Sequence, residues 1–418
     1  MGVATTYNPV ANADSFASVA IGASEPAALP IPFSRFNAFL LAAGLAAGSA
    51  FSADTAPGTT AQTGPNGLAP DTIVTPLHDA PGAPIAGPAP IPEGPMPHIA
   101  LILPLASPLL GRVSEAVREG FFAAHEAAGK NAFAIRMTAT PDDGPSLLAA
   151  CLGSQKSGAV LVVTGLTRDG ATGVAKSDCP RQPTLLLNQP LDGEPPVNIY
   201  SVSLSLEQEA RQVALLAVND GWHSAIVIAG PSPLARRVQE AFEREWVRSA
   251  GELRAKIVFT GGVEEAPAIK ERIAPISAQI VFLALDQAAA RAVRPYISAT
   301  LPIYATTLSI DPRADATVNV DLQGVRYLDM PWFVQPDHPA VMAYPRPREA
   351  VAVEQERLYA LGIDAYRLAD HLLHPEERAR HLDGVTGKLT LEPGNQFVRT
   401  LTPAEMDGGR AVASKPSP

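Results

Sequence analysis

Ile99–Leu103 is an unbroken apolar run, the pattern of a strand covered on both faces in a parallel sheet. Pro104 ends it. Ser107 followed by Pro108 predicts a helix start, with a hydroxyl to cap free amides and a proline where no N–H is missed. Beyond them Val113, Ala116, Val117, Gly120, Phe121 and Ala124 recur at three- and four-residue spacing, with Arg112, Glu115, Arg118 and Glu119 between them. That is an amphipathic helix. The loop past such a strand is where open α/β sheets hold ligands, which makes Ala106 and Ser107 pocket candidates.

The same unit repeats down the chain. Strands are predicted at Ala132–Met137, Ala159–Val163 and Thr184–Leu187, with helices at Ser146–Gln155 and Asp169–Lys176. A second series alternates the helices Leu206–Asp220, Leu234–Ala250 and Gln287–Tyr296 with the strands Ser224–Ala229, Ala255–Thr260, Gln279–Leu285 and Pro302–Ala305. The fold class is therefore α/β, as two successive doubly wound units, each large enough to be a lobe. A long helix at Val351–Leu373 follows. A hairpin then joins Gly384–Leu391 to Gln396–Leu401 around Pro393-Gly394-Asn395. The expected organisation is lobe 1 at 98–203 completed by about 330–375, lobe 2 at 204–329 with the hairpin 383–401, and a disordered tail at 402–418.

The N-terminal part reads differently. Residues 1–53 form a leader whose short apolar block, Phe39–Phe51, follows Arg35 and ends near the small residues Ala50, Ser52 and Ala53, the anatomy of a secretory signal. Residues 54–97 are rich in Pro, Gly and Ala, with eleven prolines between Pro57 and Pro97. Such a segment cannot offset its ordering entropy, so it reads as a disordered, extended linker.

Composition narrows the function. The 46% apolar and 18% charged content predicts a folded core, and a net charge of −10 argues against nucleic acid or an anionic membrane surface as partner. No apolar stretch is long enough for an ordinary transmembrane span. Cys151 and Cys179 are the only cysteines. In an exported chain an even pair suggests a disulfide, with two unconnected buried thiols as the alternative. Neither lies in a CxxC or beside a histidine at ligand spacing, so no metal site is predicted.

Catalytic motifs are missing: there is no GxSxG, HExxH, GxxxxGK or GxGxxG. His371, His374 and His381 read as a solvated helix end, and Asp142-Asp143 and Glu264-Glu265 as turn or cap residues. No catalytic residue and no cofactor is expected. What recurs is polar or aromatic chemistry just past strands: Ser107, Leu166-Thr167, Asn188-Gln189, Ser232, Asp286, Thr306 and Trp332. Two lobes facing each other across such loops make a binding cleft rather than a reaction centre.

HIALILPLASPLLGRVSEAVREGFFAA resembles the opening of type I periplasmic binding domains, the leucine-binding-protein-like fold. VLVVTGLTRDG (Val160–Gly170), TLLLNQP (Thr184–Pro190), LYALGIDAYRLA (Leu358–Ala369) and DGVTGKLTLEPGNQFVRTL (Asp383–Leu401) resemble the C-terminal domain of penicillin-binding protein activators, the LppC-type lipoproteins. The resemblance runs from roughly Pro97 to Met406. It implies two Rossmann-like lobes joined by a multi-strand hinge, and a non-enzymatic protein that stimulates a class A penicillin-binding protein during peptidoglycan synthesis. It also implies a periplasmic location on the outer-membrane side, although neither cysteine lies near Ala50–Asp54, where LppC-type proteins carry a lipidated one. The alternative the fold implies is a solute-binding protein of an ABC transporter holding an amino-acid-like ligand between its lobes. Ser107 and Thr167 would then donate to the ligand carboxylate and Asp286 would meet its ammonium.

Overall fold

The computed structural model describes residues 96–414 apart from 180, 192–194, 263, 348–350 and 375–380. The leader and nearly all of the proline-rich linker lie outside these. The first half of the chain forms β1 (His98–Leu103), α1 (Gly111–Ala128), β2 (Ala134–Ala139), α2 (Pro145–Lys156), β3 (Ala159–Thr164), α3 (Arg168–Ala175), β4 (Thr184–Leu186) and β5 (Ile199–Val202). The second comprises α4 (Leu206–Asn219), β6 (Ser224–Ala229), α5 (Pro233–Arg248), β7 (Glu252–Val258), α6 (Glu265–Ile273), β8 (Ile280–Ala284), α7 (Gln287–Val293), β9 (Ile303–Ala305), the short α8 (Ala316–Asn319) and β10 (Val325–Asp329). The chain then returns through the short helices α9 (Pro331–Val334) and α10 (Pro339–Met342) to α11 (Val353–Leu373), β11 (His381–Asp383), β12 (Lys388–Glu392) and β13 (Gln396–Thr400). It closes with β14 (Thr402–Asp407) and β15 (Arg410–Ala413).

Two sheets result, ordered β11-β12-β13-β5-β4-β3-β1-β2 and β15-β14-β10-β9-β8-β6-β7. The core strands of each pair in parallel. β1 is buried at all six positions because it sits between β2 and β3 with helices over both faces, which is why it shows no alternation. On one face α1 crosses α11 at two glycines: a methyl group at Gly120 would overlap the Tyr359 carbonyl, and one at Gly362 the Val117 carbonyl. Phe121 and Tyr366 flank this crossing edge to face, with ring centroids 5.3 Å apart. On the other face Cys151 of α2 is bonded to Cys179, across 28 residues. Replacing both cysteines with alanine should lower stability by about 3–4 kcal/mol in the chain-entropy picture. Thermal melts of that variant, and of the native chain with and without reductant, check it.

Several expectations need correcting. The hairpin expected with lobe 2 is β12–β13, and it extends the first sheet: Gln396 and Phe397 pair with Ser201 and Val202 of β5. Most of the tail at 402–418 is ordered structure, since β14 runs antiparallel to β10 and β15 to β14. The alternation of Ala404 and Met406, both buried in the second core, explains the insertion. The regular run of the first long helix starts at Gly111, and Ser107-Pro108 open the turn that leads into it, with the Leu110 amide on Ser107 Oγ at 3.3 Å and the Gly111 amide on the Ser107 carbonyl at 2.9 Å. β5, β10 and α6 were absent from the expected pattern.

Among the described residues the chain crosses between the sheets three times: at 203–205 from β5 to α4, at Met330 from β10 to α9, and at Leu401 from β13 to β14.

Candidate functional site

Between the lobes lies a cavity of about 260 Å³. Leu166 and Asn188, from the loops after β3 and β4, line it together with Leu358 and Leu361 of α11, while Leu234 and Arg237 of α5 close it from the other lobe. Its walls are largely leucine. Its lip is charged: the Glu207 carboxylate oxygen Oε1 accepts from Arg168 Nη2 at 2.8 Å and from Arg237 Nε at 3.0 Å, so one ion cluster spans the two lobes. Ser205 caps α4 and donates to the other Glu207 oxygen at 2.9 Å. Burial works against the Glu207 charge, but the hydrogen bonds from its own amide, Arg168 and Ser205 outweigh it and hold the carboxyl at about 2. Its folded value lies below the ordinary one near 4.5, so the stabilisation is present above that pH and is lost as pH falls toward 2. Because both arginines are partly exposed, we expect on the order of 1–2 kcal/mol. The native melting temperature should therefore drop more between pH 5 and 3 than that of Glu207→Gln.

The residues singled out from sequence are placed as follows. Leu166 and Asn188 line the cavity, and Asn188 Nδ2 donates to the Leu166 carbonyl at 3.1 Å. Gln189 faces the space just outside the lip. The others are not brought to the cavity. The Ala106 amide donates to the Thr140 carbonyl at 3.1 Å, and Ser107 Oγ accepts from the Leu110 amide at 3.3 Å. Thr167 caps α3, accepting from the Gly170 amide at 3.0 Å and donating to Asp143 Oδ2 at 2.6 Å. Ser232 caps α5 and Asp286 caps α7, through bonds of 3.0 and 2.9 Å. Thr306 is buried, its hydroxyl accepting from the Leu308 amide at 3.4 Å. Trp332 is buried too, with its indole N–H on Glu356 Oε1 at 2.9 Å and the Arg346 guanidinium 4.0 Å over its ring.

Sequence reasoning missed the charges at the hinge. Arg399 of β13 is buried, donating from Nε to the Ser203 carbonyl at 2.9 Å and from Nη1 to the Thr386 carbonyl at 3.2 Å. Its Nη2 lies 3.8 Å from Glu209 of α4. Glu209 in turn accepts from the Thr307 hydroxyl at 2.6 Å. Arg357 of α11 holds Asp329, at the end of β10, with one contact at 2.9 Å. Gln212 of α4 donates to the Arg399 carbonyl at 2.8 Å and accepts from the Leu401 amide at 3.1 Å. All three crossings are thus tied to one buried charged network. Burial pushes the Glu209 carboxyl above its usual range, against the pull of Arg399 and Arg357. A charged residue in an apolar strand, as in QFVRTL, was the available signal.

Among the described residues no group of three or more His, Cys, Asp or Glu is arranged to hold a metal ion, and no described helix is long and apolar enough to cross a membrane.

Two α/β lobes, three crossings and a cleft define a type I periplasmic binding fold. The family profile described as "LppC putative lipoprotein" matches residues 91–273 and 268–409, and the chain belongs to that family. It is 27% identical to "Penicillin-binding protein activator LpoA" of Klebsiella pneumoniae and 26% identical to that of Escherichia coli, in each case over 62% of this chain. The chain spans less than half the length of those relatives, 42% and 44%. Among solved structures it is similar to a Chromobacterium violaceum protein described as a "putative branched-chain amino acid ABC transporter", at TM-score 0.63 and 32% identity, over 74% of this chain and all of that one. Full-length LpoA from Haemophilus influenzae shares the fold at TM-score 0.63 and 19% identity, over 76% of this chain and 59% of that one.

Proposed function

We propose that this chain regulates a class A penicillin-binding protein in the periplasm, by protein–protein contact rather than by catalysis. The observation that carries the reading is membership of the LppC family together with relatives named penicillin-binding protein activators. The cleft chemistry supports it. The hydroxyls and the aspartate that would grip a free amino acid are spent on helix caps and turns, and the cavity wall is mainly leucine. Nothing there pairs a nucleophile with a base. The secretory-type leader Phe39–Phe51 supports the compartment, with outer-membrane association as the finer proposal.

The test is reconstitution: purified full chain is added to a class A synthase with lipid-linked substrate, and the rate of glycan polymerisation and cross-linking is followed. Acceleration together with direct binding of the synthase is expected. An unchanged rate with no binding would sink the reading.

A second reading, a solute-binding protein for an amino-acid-like ligand, is favoured by the 32% identity to the Chromobacterium violaceum protein. Leucine, valine and glutamate titrated in a calorimeter decide between the two. Tight binding with a fall in radius of gyration supports transport.

A further inference from the structure

We propose that the mouth of the interlobe cleft is a binding site for a small polycarboxylate. Outside the lip lies a second space of about 330 Å³, of small-molecule size, that shares Arg168, Ser205, Glu207 and Arg237 with the leucine-lined cavity. Four arginines line it: Arg168 from the first lobe, and Arg211, Arg237 and Arg244 from α4 and α5 of the second. Among the described residues two carboxylates, Glu207 and Glu240, stand with them. Four minus two leaves an excess of two positive charges among the described lining residues, on a chain whose net charge is −10.

The resident geometry indicates what the excess charge recognises. Glu207 already shows one carboxylate oxygen held by guanidinium groups from both lobes. Arg211 faces the same space, with no ion pair of its own among the described residues. Partial burial disfavours its charge; Glu207 and, less, Glu245 compensate in part, while Arg244 and Arg248 add to the penalty. Arg244 is paired only across 3.7 Å, to Glu240, and both side chains are mostly exposed. A solvent-screened pair of that kind is worth little and is readily exchanged for a ligand. Planar guanidinium forks bind carboxylates in a bidentate manner. Gln189 and Leu191 from the first lobe supply an amide and an apolar edge for the ligand backbone. A ligand with carboxylates at two ends would join Arg168 to Arg211 and so staple the lobes together, as Glu207 does now. A zwitterion fits poorly, because Glu207, the half-buried acid there, is already taken by two arginines. The proposal is independent of the synthase reading, since it concerns a small molecule and not the partner protein.

The test is calorimetry on the full chain at low ionic strength, with citrate as the probe and pyrophosphate and leucine beside it. Citrate should bind and raise the melting temperature. Arg168→Gln and Arg211→Gln should each weaken binding about tenfold, and Arg272→Gln on α6, far along the second lobe, should leave it unchanged. Circular dichroism melts confirm that each variant is folded; Arg244→Gln, at an exposed position, replaces any that is not. Three results overturn the proposal: no citrate binding, affinities indifferent to Arg168 and Arg211, or pyrophosphate binding while citrate is silent.

Discussion

Gly362→Val is expected to abolish the two-lobed fold, and Gly362→Ala to lower its stability by roughly 2–4 kcal/mol. Helix propensity points the other way. In an exposed helix, alanine is better than glycine by about 1 kcal/mol. Here the missing side chain is what lets two helices touch: Gly362 of α11 rests against the Val117 carbonyl, and Gly120 of α1 against the Tyr359 carbonyl. The obstacle is backbone in both cases, so no rotamer change makes room. Adding one methyl group must push α1 away from α11, which opens the contact between Phe121 and Tyr366 and loosens the core that holds β1 and Trp332. The overpacking cost exceeds the propensity gain. Denaturant unfolding followed by tryptophan fluorescence measures it, and a Gly362→Ala protein as stable as the native one would show that the crossing yields. Gly120→Ala should behave alike. The double variant should cost less than the sum of the two, because either methyl group alone already separates the helices.

What was legible in the sequence divides by how local the cause is. Ser224–Ala229 was located to the residue and α11 to within two, because uninterrupted apolar runs and long amphipathic periods are signals carried inside one element. β10 was not legible. Val325–Asp329 contains Arg326 and Asp329, and those charges read as loop until their partners are known: Asp220 lies 106 residues away from Arg326, and Arg357 28 residues from Asp329. β5 is only four residues and follows two prolines, too short for alternation to register. β14 contains Pro403, which the sheet tolerates opposite Leu328 while Ala404 and Met406 supply the burial. The candidate site shows the same split. Ser, Thr and Asp just past a strand read as cleft candidates, because the residues that suit a ligand's carboxylate are also the residues that suit a free helix amide. At Thr167, Ser232 and Asp286 the local partner is taken. The lip of the cleft, by contrast, joins Glu207 to arginines 39 and 30 residues distant, and no window of sequence contains both.

Arg357→Leu is expected to destabilise the protein by about 3–5 kcal/mol, more than any exposed ion pair here. The reason is what it leaves behind. Asp329 is fully buried and Glu209 nearly so, and both favour the charged form of Arg357, raising its pKa despite the burial that opposes it. With the guanidinium gone, Arg399 is the cation left facing two buried acids at the hinge among the described residues, and it is already committed to the Ser203 and Thr386 carbonyls. One acid must then take up a proton or the hinge must open to water. Glu209, which burial already pushes upward, is the expected site of protonation. For an acid whose folded value is raised, stability is greatest below its unfolded value and declines as pH climbs through the folded one. The variant should therefore lose further stability from pH 5 to pH 8, a slope the native chain shows less strongly. Leucine at both positions, Arg357→Leu with Asp329→Leu, should recover part of the loss, since it removes one of the two buried acids and leaves Glu209 facing Arg399. Urea midpoints at the two pH values separate these outcomes. If the single variant were as stable as the native chain at pH 8, the buried charges would not be what joins the three crossings.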